Sequence, residues 1–340
     1  MDEAANLSDG SALAYHGGGL AAARRLFPAA PEPWLDLSTG INVAPFAFPA
    51  PSPDAFTRLP EAESIAALEA AAAGHFGLGG GADLVAAPGT QALIQFLPRL
   101  LPAKKVAVLD FTYAEHGRVW AASGAEVVTC ATLGDLVGAD VAVVVNPNNP
   151  DGRLCAVRGL RDLAKKMSAH GKNLVVDEAF IDFLPGENSL APLLPLPGAL
   201  VLRSFGKTFG LAGLRLGFAL GERDVIARLR AALGPWAVSG AAVEIGIAAF
   251  RDRTWLTDSA ARLARDCARL DGLLRDAGFE IVGGTPLFRL ARHDDAQAIF
   301  RRLCAVGVLT RPFAPRPDWL RFGVPSGDAA FARLSAALNV

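Results

Sequence analysis

Compact apolar runs rich in valine and leucine constrain the fold of this chain more than any other feature. They occupy residues 106–109, 127–130, 141–145, 174–176 and 200–202, and a further short strand is expected near Leu84. Continuous apolar runs of this length are typical of strands buried on both faces of a sheet. Several are separated by helix-length segments, at residues 92–101, 114–123 and 160–170. Parallel strands need such crossover connections, so the spacing predicts an α/β fold with a mostly parallel sheet.

The pattern changes near residue 250. Residues 254–277 form one long helical pattern, in which Leu263, Leu270 and Leu273 mark a single apolar stripe among many Arg and Asp. After this helix, short strand candidates at 287–290 and 320–324 alternate with helices. We therefore predict three parts: an N-terminal arm that joins the small domain, a large domain, and a small C-terminal α+β domain, over residues 1–40, 41–250 and 251–340.

The charge balance and the apolar segments exclude several classes of protein. With 33 Lys and Arg against 34 Asp and Glu, the chain lacks the basic excess of a nucleic-acid-binding protein. Residues 1–11 have neither the positive start nor the apolar core of a signal peptide, and the apolar stretch at 190–202 is interrupted by three prolines. We expect a cytoplasmic protein that binds neither nucleic acid nor a membrane.

The four cysteines, Cys130, Cys155, Cys267 and Cys304, are far apart and form no CxxC pair. No His/Cys cluster with metal-ligand spacing accompanies them. We expect reduced thiols in the core and no metal site.

Two glycine motifs resemble nucleotide-binding loops but lack the required context. Residues 77–82 match GxGxxA, yet that fingerprint must follow a strand, and here a helical pattern at 62–76 precedes it. Gly206-Lys207-Thr208 resembles the end of a phosphate-binding P-loop, which requires glycine where Val201 stands. The glycines at 79–81 are instead expected to end the preceding helix, and an ATPase is not indicated.

Polar side chains follow three successive strand candidates. Asn149 comes shortly after the run at 141–145, Asp177 ends the next strand, and Lys207 ends the one after. Ligand-binding groups gather at the carboxyl ends of parallel strands. A poorly solvated lysine amine there has a lowered pKa, which makes it a nucleophile towards an aldehyde.

Each of these residues also has an ordinary interpretation. Lys207 would be a solvated loop residue, Asn149 part of a turn and Asp177 a strand-end cap. Ser204 and Arg215, which flank Lys207, supply a hydroxyl and a guanidinium suited to a phosphate dianion. Asn149, Asp177 and Lys207 fall at the ends of three successive strand candidates, and this coincidence favours a functional site.

Together these residues resemble the fold-type I enzymes that depend on pyridoxal 5′-phosphate (PLP), in the branch of histidinol-phosphate aminotransferases and threonine-phosphate decarboxylases. The resemblance covers nearly the whole chain. It implies a seven-stranded, mostly parallel sheet in the large domain, and a homodimer with its active site at the subunit boundary. It also implies that Lys207 forms the Schiff base and acts as the catalytic base, that Asp177 pairs with the pyridine nitrogen, and that Asn149 contacts the ring oxygen.

The resemblance assigns further contacts to the cofactor. In this family the N–H groups at the start of a helix hold the cofactor phosphate, and side chains complete the cup. The matching residues here are Gly89, Thr90, Gln91, Ser204 and Arg215. Tyr113 lies where the family stacks an aromatic ring on the cofactor.

A substrate site is implied as well. Arg321 lies where a family arginine grips the substrate carboxylate, for which its bidentate geometry is suited. The His-Gly-Gly element at 16–18 and the segment 36–42 are similar to elements of threonine-phosphate decarboxylases. By that similarity His16, Gly40 and Asn42, with Arg311, would surround the substrate's own phosphate. Two alternatives stay open, in which His16 caps a flexible arm and Arg311 is a solvent-facing charge.

Three departures from the family pattern weaken the interpretation as a simple aminotransferase. Phe180 stands where many relatives have a tyrosine that bonds to the ring oxygen, which leaves this task to Asn149. Gly206 replaces the serine that often precedes the lysine, so one phosphate contact is missing. Residues 58–61 read Arg-Leu-Pro-Glu, where aminotransferases carry a Tyr-Pro-Asp segment that reaches the partner's cofactor.

The expected activity is the decarboxylation of O-phospho-L-threonine to (R)-1-amino-2-propanol O-2-phosphate for cobalamin biosynthesis. The alternative enzyme is a histidinol-phosphate aminotransferase, and a non-catalytic binding module is disfavoured because Lys207 is retained. Sequence leaves the choice between the two reactions open, since they differ in substrate orientation rather than in residue inventory.

Overall fold

The computed structural model describes residues 16–339. The chain divides into two compact units, of which the first runs to Ala44 and resumes at Asp258, while the second spans Pro45–Thr257. The second border falls inside the long helix Arg253–Asp276. The expectations for residues 1–15, including the absence of a signal peptide, lie outside the described residues.

The strands of both units are short. In chain order they are β1 Leu35–Asp36, β2 Asp83–Ala87, β3 Lys105–Leu109, β4 Glu126–Cys130, β5 Val141–Val145, β6 Asn173–Asp177, β7 Ala199–Ser204, β8 Gly217–Gly221, β9 Glu280–Thr285, β10 Phe288–Arg292, β11 Val308–Leu309, β12 Arg311–Phe313 and β13 Arg316–Gly323.

Helices connect most of these strands. The α-helices are Leu20–Leu26, Asp54–Thr57, Ala62–Phe76, Thr90–Leu100, Ala114–Ala122, Val157–Ser168, Phe205–Thr208, Arg223–Leu233, Gly240–Arg251, Arg253–Asp276, Ala296–Ala305 and Asp328–Leu338. Short 3₁₀ helices lie at Leu133–Gly138, Gly186–Asn188, Ala191–Leu193 and Ala212–Leu214.

The larger unit contains a seven-stranded sheet in the order β2-β8-β7-β6-β5-β3-β4. Neighbouring strands from β7 to β4 pair in parallel, whereas β8 is antiparallel to both β7 and β2. This topology confirms the predicted α/β fold with a mostly parallel sheet. All five residues of β5 are buried, as expected for a central strand with helices on both faces.

Side chains alternate between the two faces of this sheet, and each face has its own core. Val175, Leu200 and Leu202 pack with the helix Thr90–Leu100 on one face. Val176, Val201 and Phe205 belong to the core on the other face. A strand's side chains point alternately to the two sides, so each strand-end residue has a predictable face.

Two details differ from the sequence expectations. The helix Ala62–Phe76 ends at Gly77, which adopts the left-handed conformation (φ 61°), rather than at the glycines 79–81. The antiparallel strand β8 was not identified from the sequence. Its Gly-Phe-Ala-Leu-Gly composition lacks the valine-rich signature of the other strands.

The smaller unit contains a four-stranded antiparallel sheet in the order β12-β13-β10-β9. A separate two-stranded parallel sheet pairs β1 with β11. Arg311 of β12 lies directly opposite Arg321 of β13 in the antiparallel register. The two predicted arginines are therefore neighbours on adjacent strands.

The expectations for the cysteines hold only in part. Cys267 and Cys304 are buried, and burial raises the pKa of the Cys304 thiol to about 12. Cys130 and Cys155 are half-buried rather than core residues.

Among the described residues, none of the helices is both long enough and apolar enough to span a bilayer.

Candidate active site

The three residues predicted at strand ends lie on segments that leave the large sheet at one edge. Asp177 is the last residue of β6, and it pairs in register with Val145 of β5 and with Leu202 of β7. Asn149 lies in the loop after β5 and is 8% exposed. Lys207 differs from expectation, since it does not end β7 but lies in the helical turn Phe205–Thr208 that follows it.

Asp177 has a partner that sequence reasoning did not assign. Its Oδ2 atom lies 2.9 Å from Nε2 of His116, and both side chains are buried. Its Oδ1 atom accepts a hydrogen bond from the backbone N–H of Ala179 at 3.1 Å. Both carboxylate oxygens are thus engaged, which fixes the orientation of the group.

Two glycines, Gly89 and Gly217, lie at the N-terminus of the helix Thr90–Leu100. The residue before it, Gly89, has φ 84°, and no side chain caps the helix. A Cβ atom at Gly89 would lie 2.5 Å from Nη2 of Arg215, and one at Gly217 would lie 2.7 Å from the backbone nitrogen of Thr90. Gly217 also pairs with Ser204. Glycine at both positions therefore lets the Arg215 guanidinium and the backbone of β8 approach a helix start, where anions bind favourably.

Gln91, in the first turn of this helix, forms a polar chain with Tyr113. The hydroxyl of Tyr113 donates to Oε1 of Gln91 at 3.1 Å, and Nε2 of Gln91 donates to Glu115 at 2.9 Å. The rings of Tyr113 and His116 meet edge to face at 6.2 Å. These contacts connect the helix N-terminus to the Asp177–His116 pair.

The turn that carries Lys207 is closely packed. The Nζ atom of Lys207 lies 5.8 Å from the ring centroid of Phe180. A Cβ atom at Gly206 would lie only 2.6 Å from the Cα atom of Ala212. The glycine that replaces the serine of many relatives is therefore required by backbone packing in this chain.

A buried cluster of charges lies next to the same turn. Arg203, 4% exposed, donates to both Glu178 and Asp182. Burial raises the pKa of the Glu178 carboxyl, whereas at Asp182 the contacts with Arg203, His75 and Thr208 together outweigh the effect of burial and lower the pKa of that carboxyl. Ser189 donates to Glu178 at 2.6 Å and thereby completes the cluster.

The smaller unit holds the residues expected to bind substrate. Arg321 is 2% exposed, and its Nη2 atom donates to the carbonyl of Ser38 at 2.8 Å. Burial, and then the positive charge of Arg311, lower the pKa of the Arg321 guanidinium. Two adjacent guanidinium groups, one fully buried, favour an anion between or beside them.

The N-terminal elements meet around Ser38 and Asn42. The backbone N–H of Gly18 donates to the hydroxyl of Ser38 at 2.7 Å, and His16, two residues earlier, is half-buried. Gly40 has φ 75° and leads to Asn42, whose Oδ1 atom accepts from Arg262 at 2.7 Å. The structure thus brings His16, Gly40, Asn42, Arg311 and Arg321 into one unit, and their roles stay predictions.

Comparison with known proteins assigns the chain to a family. Residues 47–333 match the family model described as aminotransferase class I and II. The chain belongs to the class I and II aminotransferase family. This finding confirms the family resemblance that the sequence motifs indicated.

Two curated relatives align over nearly the full chain. A threonine-phosphate decarboxylase from Sinorhizobium sp is 42% identical over 96% of this chain and 98% of its own length. Another from Pseudomonas aeruginosa is 43% identical over 95% of this chain and 96% of its own length.

A solved structure shares the fold at low identity. The histidinol-phosphate aminotransferase from Sinorhizobium meliloti, in complex with pyridoxal-5′-phosphate, superposes with a TM-score of 0.80 at 21% identity, covering 94% of this chain and 93% of that chain.

Sequence reasoning missed His116 and the cluster around Arg203. His116 lies in the same segment as Tyr113, but nothing in the sequence places it against Asp177. The sequence does indicate the cluster around Arg203, because a charge inside the otherwise apolar strand β7 needs a buried partner.

The tight packing at Gly206 generates a stability prediction. Gly206→Ala should destabilise the protein by roughly 1–3 kcal/mol, because the new Cβ overpacks against backbone that cannot rotate away. Gly213→Ala is the matched control, since its Cβ would meet no atom within 4 Å. Urea unfolding measures both variants, and equal midpoints would show that the close approach at Gly206 is not a real constraint.

Proposed function

We propose that this protein is a PLP-dependent threonine-phosphate decarboxylase. It would convert O-phospho-L-threonine to (R)-1-amino-2-propanol O-2-phosphate and carbon dioxide, a precursor step for cobalamin biosynthesis. The observation that carries the proposal is the 42% and 43% identity to two threonine-phosphate decarboxylases over almost the whole length of both chains. The two adjacent arginines of the smaller unit support it, because this substrate carries two anionic groups.

The residues of the larger unit fit PLP. The Arg215 guanidinium lies close to Gly89 at the N-terminus of the helix Thr90–Leu100, and a cation beside a helix N-terminus suits a phosphate dianion. Asp177 is held at the strand end by His116, as the partner of a protonated pyridine nitrogen must be. Lys207 supplies the amine for covalent attachment, Asn149 the amide for the ring oxygen, and Tyr113 the ring that would stack on the cofactor.

When bound, PLP supplies an electron sink for the pair released from a broken Cα bond. Asp177 would hold the ring nitrogen through its carboxylate and so support that sink. Arg321 would bind and orient the substrate carboxylate, the group that departs as carbon dioxide. Lys207 then returns a proton to Cα through its Nζ atom, which completes the replacement of carboxylate by hydrogen.

The substrate phosphate requires a second anion site, separate from the one for the cofactor. Arg311, Asn42, Gly40 and His16 would form it. Arg262 holds the Asn42 amide oxygen, so the orientation of this amide is defined. A threonine-phosphate decarboxylase needs such a site, whereas a general amino acid aminotransferase does not.

The reaction itself is tested by offering each candidate substrate to the PLP-loaded protein. O-phospho-L-threonine should yield carbon dioxide and aminopropanol phosphate in equal amounts. Histidinol phosphate with 2-oxoglutarate should yield no glutamate. Mass spectrometry and a carbon dioxide assay measure the products, and glutamate formation without carbon dioxide would make the protein an aminotransferase instead.

The two arginines should have separable roles. Arg311→Gln should weaken the binding of O-phospho-L-threonine but not of L-threonine, because only the former carries the phosphate. Arg321→Gln should weaken the binding of both ligands by about ten- to a hundredfold, because a hydrogen bond to a charged group is lost. Calorimetric titration measures the affinities, with Arg316→Gln, on the same strand as Arg321, as control. Equal losses for both ligands in Arg311→Gln would contradict the assignment.

We also propose that the protein is a homodimer. The larger unit exposes Phe56, Leu59 and Trp236, which are 70%, 63% and 54% exposed, and large exposed apolar side chains often mark a contact surface. Pro60 and Trp236 line one groove of this unit.

Sedimentation velocity tests the assembly. The wild-type protein should sediment at twice the mass of the chain, and Phe56→Asp should shift it towards the monomer. Phe48→Asp, which changes another exposed phenylalanine of the same unit, should leave the mass unchanged. A wild-type monomer with full activity would refute the dimer.

A further inference from the structure

The backbone of the turn Phe205–Thr208 is held at several points. Its first residue packs against Phe209 with ring centroids 4.4 Å apart, and the N–H of Phe209 donates to the carbonyl of Phe205 at 3.1 Å. Phe209 in turn stacks on Trp255 at 5.4 Å. These contacts fix the two ends of the turn, while the side chain of Lys207 projects from its middle.

One carboxylate makes side-chain contacts on either side of Lys207. The Oδ1 atom of Asp182 accepts from Nη2 of Arg203, four residues before the lysine. Its Oδ2 atom accepts from the hydroxyl of Thr208, the residue directly after the lysine. Thr208 is 1% exposed, so water does not compete for this hydrogen bond.

The charges of the cluster make Asp182 the ionised partner of Arg203. Against the effect of burial, the positive charge of Arg203 and the contact with His75 lower the pKa of the Asp182 carboxyl, while burial raises the pKa of Glu178. Hydrogen bonds to an ionised acceptor are roughly twice as strong as those between neutral groups. The bond from Thr208 therefore holds the turn more firmly than an ordinary hydroxyl contact would.

This cluster lies behind the sheet relative to the cofactor residues. Ser204 shares a face with Leu202, and Asp177 shares that face with Val175. Arg203 alternates to the opposite face, with Val201. Asp182 and Arg203 thus contact the turn from the face opposite to the one that carries Ser204 and Asp177.

We propose that Asp182 is a positioning residue for Lys207. Its carboxylate binds Thr208, in the turn that carries the lysine, and Arg203, near the end of β7, and so connects the turn to the strand. The inference rests on the proposed role of Lys207 in holding PLP. It assigns the Arg203 cluster a function beyond stability, because the position of the Nζ atom governs both covalent attachment and proton return. Misplacement of a reacting group by a fraction of an ångström is enough to slow a reaction.

The test removes the hydrogen bond between Thr208 and Asp182 and leaves the buried ion pair between Asp182 and Arg203 intact. Thr208→Val keeps the side-chain volume but has no hydroxyl to donate. In the PLP-loaded protein, kcat should fall about tenfold with little change in KM, as expected for a misplaced catalytic group. The pH midpoint of the visible absorption, which reports protonation of the nitrogen that joins Lys207 to the cofactor, should move by about half a pH unit or more. Thr208→Ser should restore both values.

Ser189→Ala is the matched control. It removes hydrogen bonds to Glu178 and Arg203 within the same cluster but does not touch Thr208. It should lower the urea midpoint and leave kcat and the pH midpoint at wild-type values. If Thr208→Val does not accumulate as a folded protein, Thr208→Ala provides the same loss of the donor.

Two results would overturn the positioning role. One is a Thr208→Val protein that is less stable but has wild-type kcat and pH midpoint, and the other is an equal shift of the pH midpoint in Ser189→Ala. Failure of the proposed function would look different, because the wild-type protein would then bind PLP without releasing carbon dioxide. In that case the pH midpoint alone still tests the contact.

Discussion

The parallel pairing of β5, β6 and β7 is the constraint on which the candidate site depends. Val145, Asp177 and Leu202 lie side by side in register, so three loops leave the sheet at one edge. Hydrophobic burial on both faces fixes that register, because a slip of one residue would move every apolar side chain to the wrong face. Asn149 and Lys207 need no direct contact with each other to be placed near Asp177, since the sheet brings their loops together.

The two faces of the sheet have different roles at this edge. On one face, Arg215 lies close to Gly89 at the start of a helix, and His116 orients Asp177. On the other face, Arg203 and Asp182 form a buried ion pair. Removing one partner of such a pair is costly, about 3–5 kcal/mol, because the other charge stays buried. Because the pair is so costly to break, it gives rigid support to the turn that carries Lys207.

Much of the fold could be predicted from the sequence, because the apolar patterns that indicate strands and helices lie within short segments of the chain. The valine-rich runs gave β3 to β7, and the helix Ala62–Phe76 was identified over its whole length. Strand β8 was missed because it lacks the valine-rich pattern although all five of its residues are buried, and one of its glycines, Gly217, is needed for a close approach to the backbone of Thr90. That requirement arises only once the chain has folded.

The site was predictable where a residue type and a strand end coincide. Asp177 and Asn149 lie where expected, whereas Lys207 lies three residues beyond the end of β7. The absence of a serine at position 206 is explained by the proximity of Ala212, a contact between residues six apart that no spacing rule reveals. His116 was missed for the same reason, because its partner is 61 residues away.

The most direct test of the central claim is to reduce the PLP-loaded protein with borohydride, digest it and locate the label by mass spectrometry. Attachment of PLP at Lys207 predicts a phosphopyridoxyl group on the peptide that contains this lysine, with loss of visible absorption on reduction, and no label in Lys207→Ala. A label on a different lysine, or no label in the wild-type protein, would contradict it.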